Sequence, residues 1–169
     1  MKGMEKDEEI EVFLADSSFS HFAKELAEMT LAESKNNRML AWKEGELKKA
    51  MEDRDAFIAF FEGGLSGFVC LVPYQKYVEI CALIVKIGRR SKHDGTRLMK
   101  EAIKLSEEKY PDKRIVLLAN EISFRMGKCF GFVAIDKNDL DDEIRTGCAS
   151  CPERKNYPDC HCQPMLLMQ

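Results

Sequence analysis

The residues Arg90-Ser91-Lys92-His93-Asp94-Gly95-Thr96 join an apolar run, Val78-Glu79-Ile80-Cys81-Ala82-Leu83-Ile84-Val85-Lys86-Ile87, to an amphipathic one from Thr96 to Tyr110. The first run reads as a strand and the second as a helix. Such a junction aims unpaired backbone N–H groups and the positive end of a helix dipole at one point, which suits an anion. Gly95 lets backbone approach a ligand with no Cβ in the way, and Arg90 and Lys92 add charge that pairs with phosphate. Lys86, Arg89 and Arg97 extend the basic cluster around the loop. A phosphorylated cofactor is the occupant this chemistry fits.

A second group of reactive residues lies near the end of the chain, where Cys148-x₂-Cys151-Pro152 is followed by Cys160-His161-Cys162. Pro152, Pro158 and Pro164 stiffen the segment. Three readings stand for these four cysteines: ligands of a tetrahedral zinc or an iron-bearing site, with His161 able to replace one thiolate; a disulfide or redox pairing; or unlinked thiols. Disulfides are disfavoured in a cytoplasmic chain. Cys70, Cys81 and Cys129 fall in apolar strands or on a helix, where a thiol behaves as a small buried hydrophobe.

Further along, Arg114-Ile115-Val116-Leu117-Leu118-Ala119-Asn120 reads as a buried strand, Ile122 to Cys129 as a short helix, and Gly131-Phe132-Val133-Ala134-Ile135 as another strand. Together the two blocks resemble the GNAT N-acetyltransferases. The family's acyl-CoA loop has the pattern Gln/Arg-x-x-Gly-x-Gly/Ala after a strand with a buried Val. Val85, Arg90 and Gly95 take those places, while His93 stands where the first glycine belongs. A His enters left-handed backbone space more readily than most residues, so the loop is expected to keep its shape at some cost in strain. The family also ends a strand in Asn with Gly-Phe eleven residues later, and Asn120, Gly131 and Phe132 keep that register.

The resemblance covers roughly residues 9 to 135 and is specific over 78 to 132. It implies an α+β fold, a central mixed sheet flanked by helices. It also implies transfer of an acetyl group from acetyl-CoA to a primary amine by direct attack in a ternary complex. The cofactor would be held by Leu83, Ile84, Val85, Arg90, Ser91, Lys92, His93, Asp94, Gly95, Thr96 and Asn120. A non-catalytic acyl-CoA-binding or metal-sensing protein on the same scaffold is the alternative. A small zinc-binding interaction module explains the cysteines but leaves the first 135 residues without a use. Some prokaryotic GNAT-like proteins also look similar in the tail, with Cys-x-x-Cys-Pro and a later Pro-x-Cys.

Attack by an amine on a thioester calls for a base, an oxyanion donor and an acid. Glu79 is the candidate base, since some family members use a strand glutamate at a comparable place. Strand alternation puts it on one face with Cys81 and Leu83, where partial burial would raise its pKa. Many GNAT enzymes carry a Tyr four residues before the Gly of the Gly-Phe pair; here that position is Gly127, which donates no proton. A thiol titrates near 8.5 and leaves readily as thiolate, so transfer survives the loss more slowly. A water held by Ser123, one helical turn earlier, could substitute; the other reading of Ser123 is an ordinary helix hydroxyl.

The elements that must position these groups are legible. Ile10 to Leu14 reads as a strand, Ser17 to Ser34 as a helix with Phe22, Leu26, Met29 and Ala32 on its apolar stripe, and Lys43 to Met51 as a shorter helix. Residues 55–61 and 65–72 flank Gly63-Gly64 as a hairpin. Met165 to Met168 is the closing strand, which makes about 147–163 a cysteine-rich insertion in the last hairpin, either a structural clip or a redox or metal control of substrate access. With 169 residues, 45% hydrophobic and 33% charged, the chain fits one domain, residues 1–8 being a loose acidic tail. A net charge of −3 argues against nucleic acid as a partner, and no apolar run is long enough to span a bilayer. A cytoplasmic protein is expected; the oligomeric state is open, a homodimer being considered only because symmetric pairs are common among soluble proteins. Nothing in the residues names the amine.

Overall fold

Ile115, Val116 and Leu117 are all buried, so the sheet that contains them must be covered on both faces. The computed structural model describes residues 9–36, 38–148 and 151–168; the expected tail over 1–8 lies outside the described residues. The strands are β1 (Glu11–Leu14), β2 (Ala56–Phe61), β3 (Gly64–Pro73), β4 (Tyr77–Val85), β5 (Arg114–Ala119), β6 (Phe132–Ala134) and β7 (Gln163–Leu167). They form one seven-stranded sheet in the order β1-β2-β3-β4-β5-β7-β6. All neighbours run antiparallel except β4 and β5, which are parallel and joined by the crossover helix α3 (Asp94–Lys109). This is the mixed, helix-flanked α+β sheet expected from the sequence.

Three apolar clusters account for the layers. On one face, Leu98, Met99 and Ala102 of α3 pack on Val69, Leu71, Val78, Ile80, Ile115 and Leu117, with α4 (Glu121–Cys129) contributing Phe124 and Met126. On the other face, α1 (Ala23–Ser34) and α2 (Glu44–Glu52) lay Leu26, Leu47 and Met51 on Ile58, Phe68, Cys70 and Ile84. The short α5 (Asp142–Arg145) then brings Ile144 against Val116 and Leu166. No helix among the described residues is long and apolar enough to cross a membrane.

Local chemistry moves several boundaries. The expected helix from Ser17 begins as a 3₁₀ stretch, Ser17–Phe22, because serines at 17, 18 and 20 bond locally: Asp16 accepts from the Ser18 amide at 2.9 Å, and the Ser20 hydroxyl donates to the Ser17 carbonyl. The buried stripe of α1 is Ala23, Leu26 and Thr30; Ala32 is exposed. Thr30 belongs to that stripe because its hydroxyl accepts the Trp42 amide at 2.9 Å. The β2–β3 turn falls on Glu62-Gly63 rather than Gly63-Gly64. Both turn residues have positive φ, 49° and 76°, as a two-residue primed turn requires, and Gly64 already pairs with Phe61. Cys129 is exposed, a correction to its expected burial at the end of α4.

Candidate functional site

β4 and β5 pair only from Tyr77↔Arg114 to Ile80↔Leu117. Beyond that point β4 carries one extra residue against β3: Phe68 faces Ile84 while Cys70 faces Cys81, and Ala82 takes φ +51° to absorb the difference. The two strands part there, and the opening continues into a cleft of about 560 Å³. Leu83, Ile84 and Val85 line it from β4, the loop before α3 from one end, and Asn120, Ile122, Ser123 and Met126 from α4. Of the eleven residues expected to hold a cofactor, ten lie on this wall, and Lys92 does not.

The loop holds two residues in left-handed backbone, Ser91 at φ +64° and His93 at φ +67°. His93 is also the N-cap of α3, which starts at Asp94, two residues before the expected start. Such conformations cost on the order of 1 kcal/mol each and persist only where the surroundings enforce them. The enforcing contact is a buried ion pair: Arg89 donates from Nε to Asp94 Oδ2 and from Nη2 to Oδ1, both at 2.9 Å, with side chains 9% and 2% exposed. The Phe61 ring lies 3.8 Å from the Arg89 guanidinium. A Cβ on Gly95 would lie 3.3 Å from Met126 Cε and 3.6 Å from Val85, so the glycine lets α3 approach both walls of the cleft.

The basic cluster is largely spoken for. Arg90 donates to Glu33 at 2.5 Å and to the Val85 carbonyl at 3.3 Å. Lys86 pairs with Glu25, and Arg97 reaches the Ile10 carbonyl and Glu9. Burial opposes a charge on Glu33, yet hydrogen bonding from Arg90, its charge and the nearby Arg38 outweigh that and hold the carboxyl below its ordinary value. Glu33 and Arg38 were not foreseen on the cleft wall. Their only sequence signal was position at the C-terminal end of the first long helix.

Asn120 and Ser123 are joined by a capping box. Asn120 Oδ1 accepts the Ile122 and Ser123 amides at 2.9 Å, Ser123 Oγ accepts the Asn120 amide at 2.9 Å, and Asn120 Nδ2 donates to the Arg38 carbonyl. This ties the loop after α1 to the start of α4. A Cβ on Gly127 would lie 3.1 Å from both Leu117 Cδ2 and Met165 Sδ, so the position faces the packed core.

Glu79 sits one residue before the strands part, on the opposite face from Val78 and Ile80. It shares that face with Cys81 but not with Leu83. The extra residue at Ala82 reverses the alternation, so Leu83 and Val85 pack with the α3 cluster while Cys81 packs with the α1–α2 cluster. Burial pushes the Glu79 carboxyl up to about 7, opposed by a hydrogen bond from the Tyr74 hydroxyl at 3.0 Å. Cys81 faces Cys70 across the strands with Sγ···Sγ 3.7 Å, and this contact, with burial, raises the Cys81 thiol well above its ordinary range.

The cysteine segment reaches the same place. Burial, then the charge on Glu79, raises the Cys148 thiol, and burial pushes Cys162 up to about 11. The four cysteines of the expected metal set bear on one another, Cys148 feeling Cys151 and Cys160, and Cys162 feeling the other three, and no disulfide joins them; among the described residues no three His, Cys, Asp or Glu side chains form a group able to hold a metal ion. Other bonds shape the segment. Lys137 Nζ donates to the Cys160 carbonyl, the Tyr157 hydroxyl to the Lys137 carbonyl, and the His161 amide to Glu153 at 3.0 Å.

Comparison with known proteins agrees with this geometry. The acetyltransferase (GNAT) family model matches residues 18–132, and the chain belongs to that family. No curated protein matches it by sequence. Among solved structures, N-acetylglutamate synthase from Neisseria gonorrhoeae, complexed with coenzyme A and N-acetyl-glutamate, is similar at TM-score 0.74 and 17% identity, over 95% of this chain and 36% of that one. A GNAT-family acetyltransferase from Staphylococcus aureus Mu50 is similar at TM-score 0.67 and 16% identity, over 95% and 100%. The PaiA N-acetyltransferase from Thermoplasma acidophilum in complex with coenzyme A is similar at TM-score 0.66 and 16% identity, over 95% and 99%. The chain thus spans about a third of the synthase and nearly all of the other two.

The raised Glu79 carboxyl has a consequence for stability. Between its ordinary value of 4.5 and its folded value of about 7, the folded chain holds a proton that the unfolded chain has lost. Its contribution is therefore full below 4.5 and is lost as pH rises through 7. Glu79→Gln removes the ionisation and still accepts from Tyr74. Its stability relative to the parent should rise between pH 5 and pH 8 by a few kcal/mol, read by urea denaturation. A difference that stays constant with pH would contradict this burial.

Proposed function

We propose that this protein transfers an acetyl group from acetyl-CoA to a primary amine by direct attack in a ternary complex. The observation that carries the reading is the opening between β4 and β5, with the loop and first turn of α3 on the cleft wall and the half-buried Glu79, itself off that wall, one residue before the strands part. The synthase and the PaiA enzyme are solved with coenzyme A, which supports the same co-substrate here.

The amides at the start of α3 would bind the pyrophosphate, with Arg90 joining them when it leaves Glu33. Backbone beside the Ala82 bulge has no β5 partner, which leaves N–H groups to orient the thioester and polarise its carbonyl. Glu79, titrating near 7, would take the proton from the ammonium or the attacking amine, directly or through water. The thiolate leaves without a donor at Gly127. The Ser123 hydroxyl, part of the capping box and on the cleft wall, is the group on α4 that would hold a water for it. The second reading, a non-catalytic acyl-CoA-binding protein, is favoured by that one feature, a packed glycine where the family places its acid.

Calorimetry with acetyl-CoA should give micromolar binding, worth ~8 kcal/mol. Arg90→Ala should weaken it, and Glu33→Gln, which frees Arg90, should tighten it a few-fold, in keeping with the ~0.2–1 kcal/mol of a solvent-screened pair. Equal affinities in all three proteins would remove Arg90 from the cradle.

The reaction itself is tested by thiol release from acetyl-CoA against a panel of primary amines. Glu79→Gln should lower the rate by about 10²–10⁴ with affinity for acetyl-CoA nearly unchanged. Binding without amine-dependent release in the parent protein would favour the non-catalytic reading.

A further inference from the structure

We propose that Tyr74 is the positioning residue of the base: its hydroxyl fixes the Glu79 carboxylate in one orientation and keeps it able to take a proton from the amine. The inference rests on the reading of Glu79 as the base.

Tyr74 lies in the turn between β3 and β4, five residues before Glu79, and its hydroxyl donates to Glu79 Oε2 at 3.0 Å. The turn is held from both sides. The Tyr74 amide donates to the Tyr77 carbonyl at 2.7 Å, and Lys113 Nζ donates to the Tyr74 carbonyl and, at 3.3 Å, to that of Gln75. The phenol is therefore carried on a fixed backbone.

Among the described residues the other titratable groups that bear on Glu79 are thiols: Cys81 on its own strand, with Cys70 of β3 behind it, and Cys148 after α5. The Cys81 and Cys148 thiols are held above their ordinary range, so they stay neutral at physiological pH. No cation among the described residues acts on the carboxyl, and the Tyr74 hydrogen bond alone opposes its burial. A desolvated glutamate without that donor would stay protonated at neutral pH and be unable to take a proton from an ammonium or amine. Tyr74 cannot take over the proton, since burial and then the Glu79 charge push its own ionisation far above the physiological range. It remains a donor throughout.

The contact can be read without turnover. Side-chain ¹³C NMR of glutamate-labelled protein, with Glu79→Gln assigning the signal, should show Glu79 titrating near 7 in the parent. In Tyr74→Phe the midpoint should move up by about one pH unit, the size expected for one hydrogen bond to a charged group. The acid limb of kcat/KM for acetyl-CoA and the best primary amine of the panel should move by the same amount. An unmoved or lowered NMR midpoint would overturn the positioning role. A raised midpoint with an unmoved pH profile would also overturn it, by showing that Glu79 is not the base. If the parent turns over no amine, the acetyltransferase reading fails separately, while the NMR titration still decides whether Tyr74 controls Glu79.

Discussion

One extra residue in β4 governs this molecule. Because Ala82 has no counterpart on β3, the strand turns over at that point. Val78 and Ile80 face α3, while Ala82 and Ile84 face α1 and α2. The same reversal ends the pairing with β5 after Ile80, so the one parallel pair of a mixed sheet opens through its middle. A sheet covered on both faces has no other route by which a ligand on the α3 side could meet one on the α1–α2 side. The cleft, the unpaired backbone beside it and the placement of Glu79 on the far face all follow from that insertion.

Electrostatics around the opening are arranged by burial more than by net charge. The loop into α3 is clamped by a buried arginine–aspartate pair, the kind of contact whose disruption costs about 3–5 kcal/mol because it strands a charge. That clamp stabilises two left-handed residues and presents helix amides to the cleft. It also consumes Arg89, while Glu33 holds Arg90. The cradle thus offers fixed backbone dipoles first and mobile cations second. On the other face, Glu79 is surrounded by a phenol and by thiols, so its proton affinity is set by desolvation and one hydrogen bond.

Much of this was legible in the sequence. The apolar runs at 78–87 and 114–120 gave the two central strands, and the spacing of Val85, Arg90, Gly95, Asn120, Gly131 and Phe132 gave the family and most of the cleft wall. The Ala82 bulge was not legible, since nothing in Cys-Ala-Leu-Ile distinguishes a regular strand from one with an extra residue, and Leu83 was therefore placed on the wrong face. Glu33, Arg38 and Tyr74 were missed because their roles depend on contacts made across the fold or across a turn. The cysteine spacing suggested a shared site, and the four thiols do bear on one another, but the bonds from Lys137 and to Glu153 that shape the segment carry no signal in the spacing.

On the proposed function, the opening between β4 and β5 receives acetyl-CoA. Amide hydrogen exchange, followed by mass spectrometry with and without acetyl-CoA, tests it most directly. Slowed exchange is expected to concentrate in residues 83–85 and 94–96, the amides of opened β4 and of the first turn of α3. Unchanged exchange over both stretches in the presence of saturating acetyl-CoA, or slowing confined to the cysteine segment, would contradict it.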